Sequence, residues 1–99
     1  MEKLVRDRIP ELMRSQGLQP DVRYAAASER LAWLLQKLAE EADELMREPC
    51  IAECADVYEV LVAISGELGL TIQDVHKAAE IKKDERGGFS KTCILKYEK

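Results

Sequence analysis

The sequence has no excess of positive charge and no long apolar run, and its first residues do not resemble a signal peptide. Its net charge of -4 argues against nonspecific binding to nucleic acid or to a membrane, because either partner calls for a basic face. No apolar run approaches the ~20 residues that a helix needs to cross a bilayer. The first residues, Met1 to Arg6, have no apolar core of the kind that marks a signal peptide. We therefore expect a cytoplasmic protein that binds neither nucleic acid nor membrane.

Cysteine and histidine are too few and too poorly spaced for a zinc site. Cys50 and Cys54 lie four residues apart and not in a CxxC pattern, and no histidine is close to them in the sequence. With Cys93 they make an odd set, which we expect to be buried free thiols. His76 is the only histidine, and on a predicted helix we expect it to be structural or exposed, not catalytic.

What the chain does contain suits one small helical domain. Its 99 residues are 46% hydrophobic and 34% charged, so residues 1–99 are predicted to form a single domain with a modest core. Apolar residues recur at helical spacing over most of the chain, which predicts an all-α fold with an antiparallel helix hairpin. Helices are expected at about residues 9–15, from Ser28 as N-cap to a break at Glu48-Pro49, from Pro49 to about residue 67, and from residue 70 to Gly87. Thr71 and Asp74 resemble a capping box at the start of the last helix.

Two short segments interrupt the helical pattern. Residues 22–26 alternate apolar and polar side chains, and residues 92–97 hold several apolar side chains without helical spacing. Both read as short strands, so a two-stranded β element formed by these segments is expected beside the helices.

Four carboxylates are spaced so that a helix hairpin brings them together. Glu41 and Glu44 lie at the edge of the apolar stripe on the helix before Pro49. Glu53 and Asp56 lie on the next helix, which is apolar around nearly its whole circumference and is therefore predicted to be central and buried. If the chain reverses at Pro49, Glu41 stands level with Asp56 and Glu44 with Glu53. The two levels are about 4.5 Å apart at a rise of ~1.5 Å per residue.

Such a group of carboxylates favours a bound cation. Ionised carboxylates are costly to bury unless they are paired or bound to metal, and four facing one gap repel each other. A ligand set made only of oxygen favours magnesium, or else manganese, over zinc, and magnesium commonly binds phosphates. The alternative is a solvated acidic face, since an ExxE spacing is common by chance. That alternative explains Glu53 and Asp56 poorly, because their helix is otherwise apolar.

Two groups of cations are candidates for phosphate binding. Lys82 and Arg86 precede the glycine pair at residues 87–88, where they can receive phosphate oxygens or simply stabilise the C-terminal end of a helix. Spacing alone favours the helix-end role. Arg6 and Arg8 fit either a phosphate clamp or surface ion pairs.

The acid motifs and both ends of the chain resemble a known superfamily. Residues 40–44 and 53–56 look like the EExxE and ExxD metal motifs of the all-α nucleoside triphosphate pyrophosphohydrolases. That superfamily includes MazG, the all-α dUTPases, dCTP pyrophosphatase and phosphoribosyl-ATP pyrophosphohydrolase. The opening KLVRDRIP (residues 3–10) and the closing RGGF (residues 86–89) are similar to a small MazG-like branch, often labelled phosphoribosyl-ATP pyrophosphohydrolase-like. The connection between the two acid motifs is shorter here than in much of the superfamily.

The resemblance implies a magnesium-dependent enzyme in which Glu40 or Glu41 acts as the base or orients water. It also implies a helical bundle, and often an active site, that is built as a homodimer or homotetramer. The implied magnesium ligands are Glu41, Glu44, Glu53 and Asp56, and the candidate phosphate-binding residues are Lys82, Arg86, Arg6 and Arg8.

We therefore expect a pyrophosphohydrolase that cleaves the bond between the α- and β-phosphates of a nucleotide and releases pyrophosphate. The substrate is either a nucleoside triphosphate or a phosphoribosyl-ATP-like nucleotide. The alternative is a noncatalytic helical dimerisation or regulatory module that retains the family fold. No set of base-reading residues is evident from the sequence, and Trp33, Tyr24 and Phe89 are only candidates for stacking.

Overall fold

All regular structure in the described part of the chain, residues 1–97 of a computed structural model, is helical. The predicted all-α fold is therefore confirmed. The predicted pairing of residues 22–26 with 92–97 is wrong, because neither segment forms a strand. A lone two-stranded element is marginal in water unless other structure covers it. The helices are α1 (Ile9–Ser15), α2 (Arg30–Arg47), α3 (Ile51–Glu67) and α4 (Ile72–Arg86), and a 3-10 turn (Ala27–Glu29) precedes α2.

The helix ends follow local capping chemistry. At the start of α4, the Thr71 hydroxyl accepts from the Asp74 N–H at 3.1 Å, and the Asp74 carboxylate accepts from the Thr71 N–H at 2.8 Å. This reciprocal pair is the predicted capping box. Ser28 does not cap α2 as predicted, because it lies inside the 3-10 turn. There the Glu29 carboxylate accepts from the backbone N–H of Ala26 at 3.2 Å instead.

The α2–α3 hairpin is the main packing unit of the chain. The backbone reverses between Arg47 and Ile51, around the predicted break at Pro49. At the other end of the hairpin, Arg30 Nε lies 2.5 Å from Glu67 Oε1. Arg30 precedes Glu41 by eleven residues and Glu67 follows Asp56 by eleven, so one register holds along both helices. We call the facing positions between these two ends the hairpin seam.

Few side chains are buried, and most of them lie on this seam. Val60 and Ile64 are the buried hydrophobic side chains of α3, whereas α4 has no buried residue. The prediction that α3 is buried on all sides is wrong for the single chain, since Ile51 is 88% exposed and Tyr58 is 55% exposed. The three cysteines are also exposed free thiols instead of buried ones. The exposure of α3, including Cys54, has one reason, because α2 and α4 cover only part of the circumference of α3.

The chain is more open than a compact protein of its size. It exposes 9004 Å², whereas a compact monomer of 11.2 kDa exposes about 5700 Å². Its radius of gyration is 17.5 Å, compared with about 13 Å for a compact domain of 100 residues. A large apolar surface is therefore left without a packing partner within the chain.

Within residues 1–97, no helix is both long enough and apolar enough to pass through a lipid bilayer.

Candidate metal centre

The four carboxylates singled out in the sequence converge where the hairpin turns. Each offers an oxygen, and these four oxygens all lie within 4.8 Å of one another. Two of the carboxylates come from α2 and two from α3, so the register of the hairpin creates the group. We call it the acid box, and its members are Glu41, Glu44, Glu53 and Asp56.

Two oxygens of the acid box are buried without a hydrogen-bond donor. The side chain of Glu41 is almost wholly buried, and within the described residues its Oε2 has no hydrogen-bond partner. The Oε2 of Glu53 is likewise buried without a hydrogen-bond partner within the described residues. A buried acceptor that makes no hydrogen bond costs about 1–3 kcal/mol, and more when it is charged. These orphaned oxygens fit a ligand that supplies positive charge inside the box.

Two cationic side chains contact the acid box from its edges. Arg6 Nη2 lies 2.7 Å from Asp56 Oδ1, and Lys37 Nζ lies 3.2 Å from Glu41 Oε1. Lys37 is 15% exposed, so its charge is held in place by its surroundings. Sequence reasoning missed Lys37, although its position four residues before Glu41 places both on one face of α2. Two cations for four carboxylates leave the box short of positive charge.

The pKa of Glu44 is consistent with this shortage of positive charge. Its pKa is raised above the ordinary value, first because its carboxyl hydrogen-bonds with that of Glu41 and then because the Glu41 charge repels its own. The charge of Glu53 acts in the same direction. A raised carboxyl pKa is the expected response when several acids share one site without enough counter-charge.

The remaining predicted acid, Glu40, lies outside the box. It is exposed on α2, and its Oε2 is 3.5 Å from the same Lys37 ammonium that contacts Glu41. Lys37 therefore links Glu40 to the box without making it one of the converging ligands.

A cavity of about 1170 Å³ extends from the acid box along the hairpin seam. The N-terminal segment, residues 1–8, forms one of its walls through Lys3 to Arg8, and the seam forms its floor. The segment is fastened at two points, by Arg6 to Asp56 and by Glu2 to Arg23, whose guanidinium lies 2.7 and 3.1 Å from the two Glu2 oxygens. The lining residues are Lys3 to Ile9, Ala25, Arg30, Trp33, Leu34, Lys37, Glu41, Asp56, Glu59, Val60, Ala63, Gly66 and Glu67.

The predicted phosphate-binding cations fall into two groups in the structure. Arg6 and Arg8 line the cavity, and Arg8 Nε also lies 3.3 Å from the exposed Glu11 carboxylate. Lys82 and Arg86 are exposed near the end of α4 and do not line this cavity. Within one chain, only Arg6 of these four cations contacts the acid box, through Asp56, and Arg8 lines the same cavity.

No family model matches the chain, and neither the curated proteins nor the solved structures contain a match to it.

Proposed function

We propose that this chain is a magnesium-dependent nucleotide pyrophosphohydrolase of the MazG-like, all-α type. The observation that carries the proposal is the acid box, in which four carboxylates from two helices meet and two buried oxygens have no donor. The likeness of its EExxE and ExxD motifs to those of the superfamily supplies the reaction. Water attacks the α-phosphorus, the bond from that phosphorus to the bridging oxygen of the β-phosphate breaks, and pyrophosphate and the nucleoside monophosphate leave.

The box suits magnesium, with manganese as the substitute. Its donors are all carboxylate oxygens, the ligands that hard divalent cations prefer. When bound there, such a cation neutralises charge on phosphate oxygens and lowers the pKa of water at the site. Glu41, Glu44, Glu53 and Asp56 are the proposed ligands.

Glu40 is the better of the two candidate bases. Glu41 is buried and belongs to the box, whereas Glu40 lies outside it and is exposed, so that its carboxylate can take a proton from the attacking water. The ion pair with Lys37, which also contacts Glu41, keeps the Glu40 carboxylate near the box. In this proposal Glu41 is a metal ligand and not the base.

The phosphates are proposed to bind between the acid box and the N-terminal segment. Arg6 contacts the box at Asp56, and Arg8 lines the same cavity. A guanidinium group suits phosphate because it donates two parallel hydrogen bonds. Lys82 and Arg86 lie off the cavity, so in this proposal they take part only if a second copy of the chain brings them to it.

A homo-oligomer, a dimer or a tetramer, is part of the same proposal. The supporting observation is the excess exposed area, which is of the size that obligate interfaces bury. On α2, a row of exposed apolar side chains recurs at helical spacing on one face. These side chains are Leu35, Ala39, Ala42 and Met46.

The oligomer is tested by light scattering on the purified chain. Leu35→Glu should shift the mass toward that of a monomer, because a charge in the apolar row is costly to bury. The matched control is Gln36→Glu, one residue along, which adds the same charge outside the row. A monomeric parent protein at micromolar concentration contradicts the proposal, as does an unchanged mass for Leu35→Glu.

The enzyme is tested by pyrophosphate release from a panel of nucleoside triphosphates and phosphoribosyl-ATP, with magnesium and with a chelator. We expect release that requires magnesium and that Asp56→Asn abolishes. Asp43→Asn is the matched control, because Asp43 is exposed and paired with Arg47 away from the box. A folded sample that releases no pyrophosphate and binds no magnesium by calorimetry supports the noncatalytic module instead.

A further inference from the structure

The cavity has a second polar end that the proposed reaction does not use. Glu67 lies at this end, about three turns of α3 beyond Asp56. Its side chain is 23% exposed, and its Oε1 is buried without a hydrogen bond although Arg30 Nε lies 2.5 Å away. The guanidinium therefore occupies this buried oxygen, whereas the other oxygen, Oε2, makes no ion pair or hydrogen bond within the described residues. A ligand with N–H donors can pair with Oε2.

An aromatic ring stands beside this polar end. Trp33 follows Arg30 by three residues on α2, so both side chains lie on one face, and both line the cavity. The guanidinium of Arg23 lies 5.8 Å from the centre of the indole ring. An electron-rich ring held in this way offers its remaining surface to a flat partner.

Apolar seam residues separate the two polar ends. Leu34, Val60 and Ala63 line the cavity between the acid box and Glu67, over a distance of about 16 Å at ~1.5 Å per residue. The order along the cavity is thus carboxylates with cations, an apolar middle with an aromatic ring, and then a carboxylate paired with a guanidinium. A nucleotide has the same order, since its phosphates, its sugar and the hydrogen-bonding edge of its base follow one another. The volume of about 1170 Å³ exceeds the ~300–1,000 Å³ usual for small-molecule sites, so a whole nucleotide fits.

We propose that Trp33, Arg30 and Glu67 form a nucleobase subsite that selects guanine; this assignment rests on the proposed nucleotide substrate. Trp33 stacks on the base, and the Glu67 carboxylate accepts from its edge. A carboxylate has only acceptors, and guanine presents a ring N–H and an amino group side by side. Adenine and cytosine place an acceptor next to the amino group, and uracil places a carbonyl on each side of its N–H. Arg30 donates to the guanine carbonyl oxygen.

Binding of nucleoside monophosphates tests the subsite without any turnover. Trp33 is the only tryptophan, so its fluorescence reports directly on a base stacked against it. The full chain is titrated with GMP, IMP, AMP, CMP and UMP in the presence of magnesium. Each of these nucleotides carries a single phosphate, and IMP differs from GMP only in lacking the amino group of the base. We expect GMP to quench Trp33 and to bind about 10-fold or more tightly than IMP, the size of effect expected for one hydrogen bond to a charged group.

Variants test whether the Glu67 carboxylate itself, and not the rest of the cavity, selects the base. Glu67→Gln should remove the preference for GMP over IMP, because the amide brings a donor toward guanine donors. Glu59→Gln is the matched control, since Glu59 is an exposed α3 carboxylate that lines the same cavity outside the subsite. If Glu67→Gln folds poorly, Arg30→Lys tests the same subsite, because it keeps the charge but loses the planar donor fork and should weaken GMP binding.

Equal binding of GMP and IMP overturns the subsite, as does an intact GMP preference in folded Glu67→Gln. Either result leaves pyrophosphate release untouched, so it does not count against the proposed reaction. Conversely, GMP selectivity without pyrophosphate release from any nucleotide supports the subsite and contradicts the reaction.

Discussion

The α2–α3 hairpin and helix α4 are both rich in charged side chains, yet the structure treats them differently. In the hairpin, charged groups face partners on the opposite helix, as Glu41 faces Asp56 and Arg30 faces Glu67. On α4 no residue is buried, and the charged side chains face water. Charged side chains are therefore candidates for a functional site where packing holds them against other charged groups. The cations of α4 have no such contacts with the hairpin within the described residues of one chain.

The largest expected effect is on magnesium affinity, and it should differ between the neighbouring residues Glu40 and Glu41 of the hairpin. Glu41→Gln should lower magnesium affinity by more than the ~10–100-fold that is typical of outer-sphere changes, because a proposed ligand is lost. Glu40→Gln should leave magnesium affinity nearly unchanged and should reduce the rate of pyrophosphate release. Isothermal calorimetry with magnesium and a turnover assay measure the two effects.

The same pair of variants can contradict the proposed division of roles. If Glu40→Gln loses magnesium binding while Glu41→Gln keeps it, Glu40 is the ligand, and the burial of Glu41 serves only the packing of the hairpin.

The second expected effect compares the cores of the two regions. Ile64→Ala should lower the free energy of unfolding by about 2–5 kcal/mol, because Ile64 is buried on the seam. Ile81→Ala on α4 should cost less than about 0.5 kcal/mol in the isolated chain, since its side chain is exposed. Urea denaturation measures both changes.

Repeating the two denaturation measurements at several protein concentrations tests whether α4 is buried between copies of the chain. A cost above about 1 kcal/mol for Ile81→Ala that grows with concentration places α4 in an interface between copies. In that case the openness of α4 belongs to the single chain and not to the assembly.

The third expected effect concerns the start of α4. Thr71→Ala should destabilise the protein by about 1 kcal/mol, because it removes the hydroxyl acceptor of the capping box. The pKa of Asp74 is lowered by the backbone N–H of Thr71 and then by its hydroxyl. A lowered pKa means that this stabilisation is present above the ordinary value of 3.8 and is lost as pH falls through the folded pKa. Thermal melts between neutral pH and pH 2 measure the loss.

Asp74→Asn is the control for the pH dependence. It should melt lower than the parent at neutral pH and should lack this part of the acid destabilisation. A parent-like acid profile in this variant assigns the pH dependence to other carboxylates.

Local sequence signals predicted the helices well. The break at Pro49, the capping box at Thr71 and the stop at Gly87 act within a few residues, so neighbouring sequence is enough to set them. The strand expectation for residues 92–97 failed because strand formation depends on a distant partner. The burial expected for α3 and for Cys54 failed for a related reason, since burial depends on what covers a face and not on the face itself.

The sequence by itself determined the helical hairpin and the spacing that puts four carboxylates at one end of it. Periodicity and a proline break are local, and the helix rise converts residue numbers into levels along the axis. Tertiary structure decided which charges meet other charges. Only packing brought the N-terminal segment across the seam, placed Arg6 on Asp56, and aligned Trp33 with Glu67 along one cavity. Such contacts join residues far apart in the chain, and no local spacing encodes them.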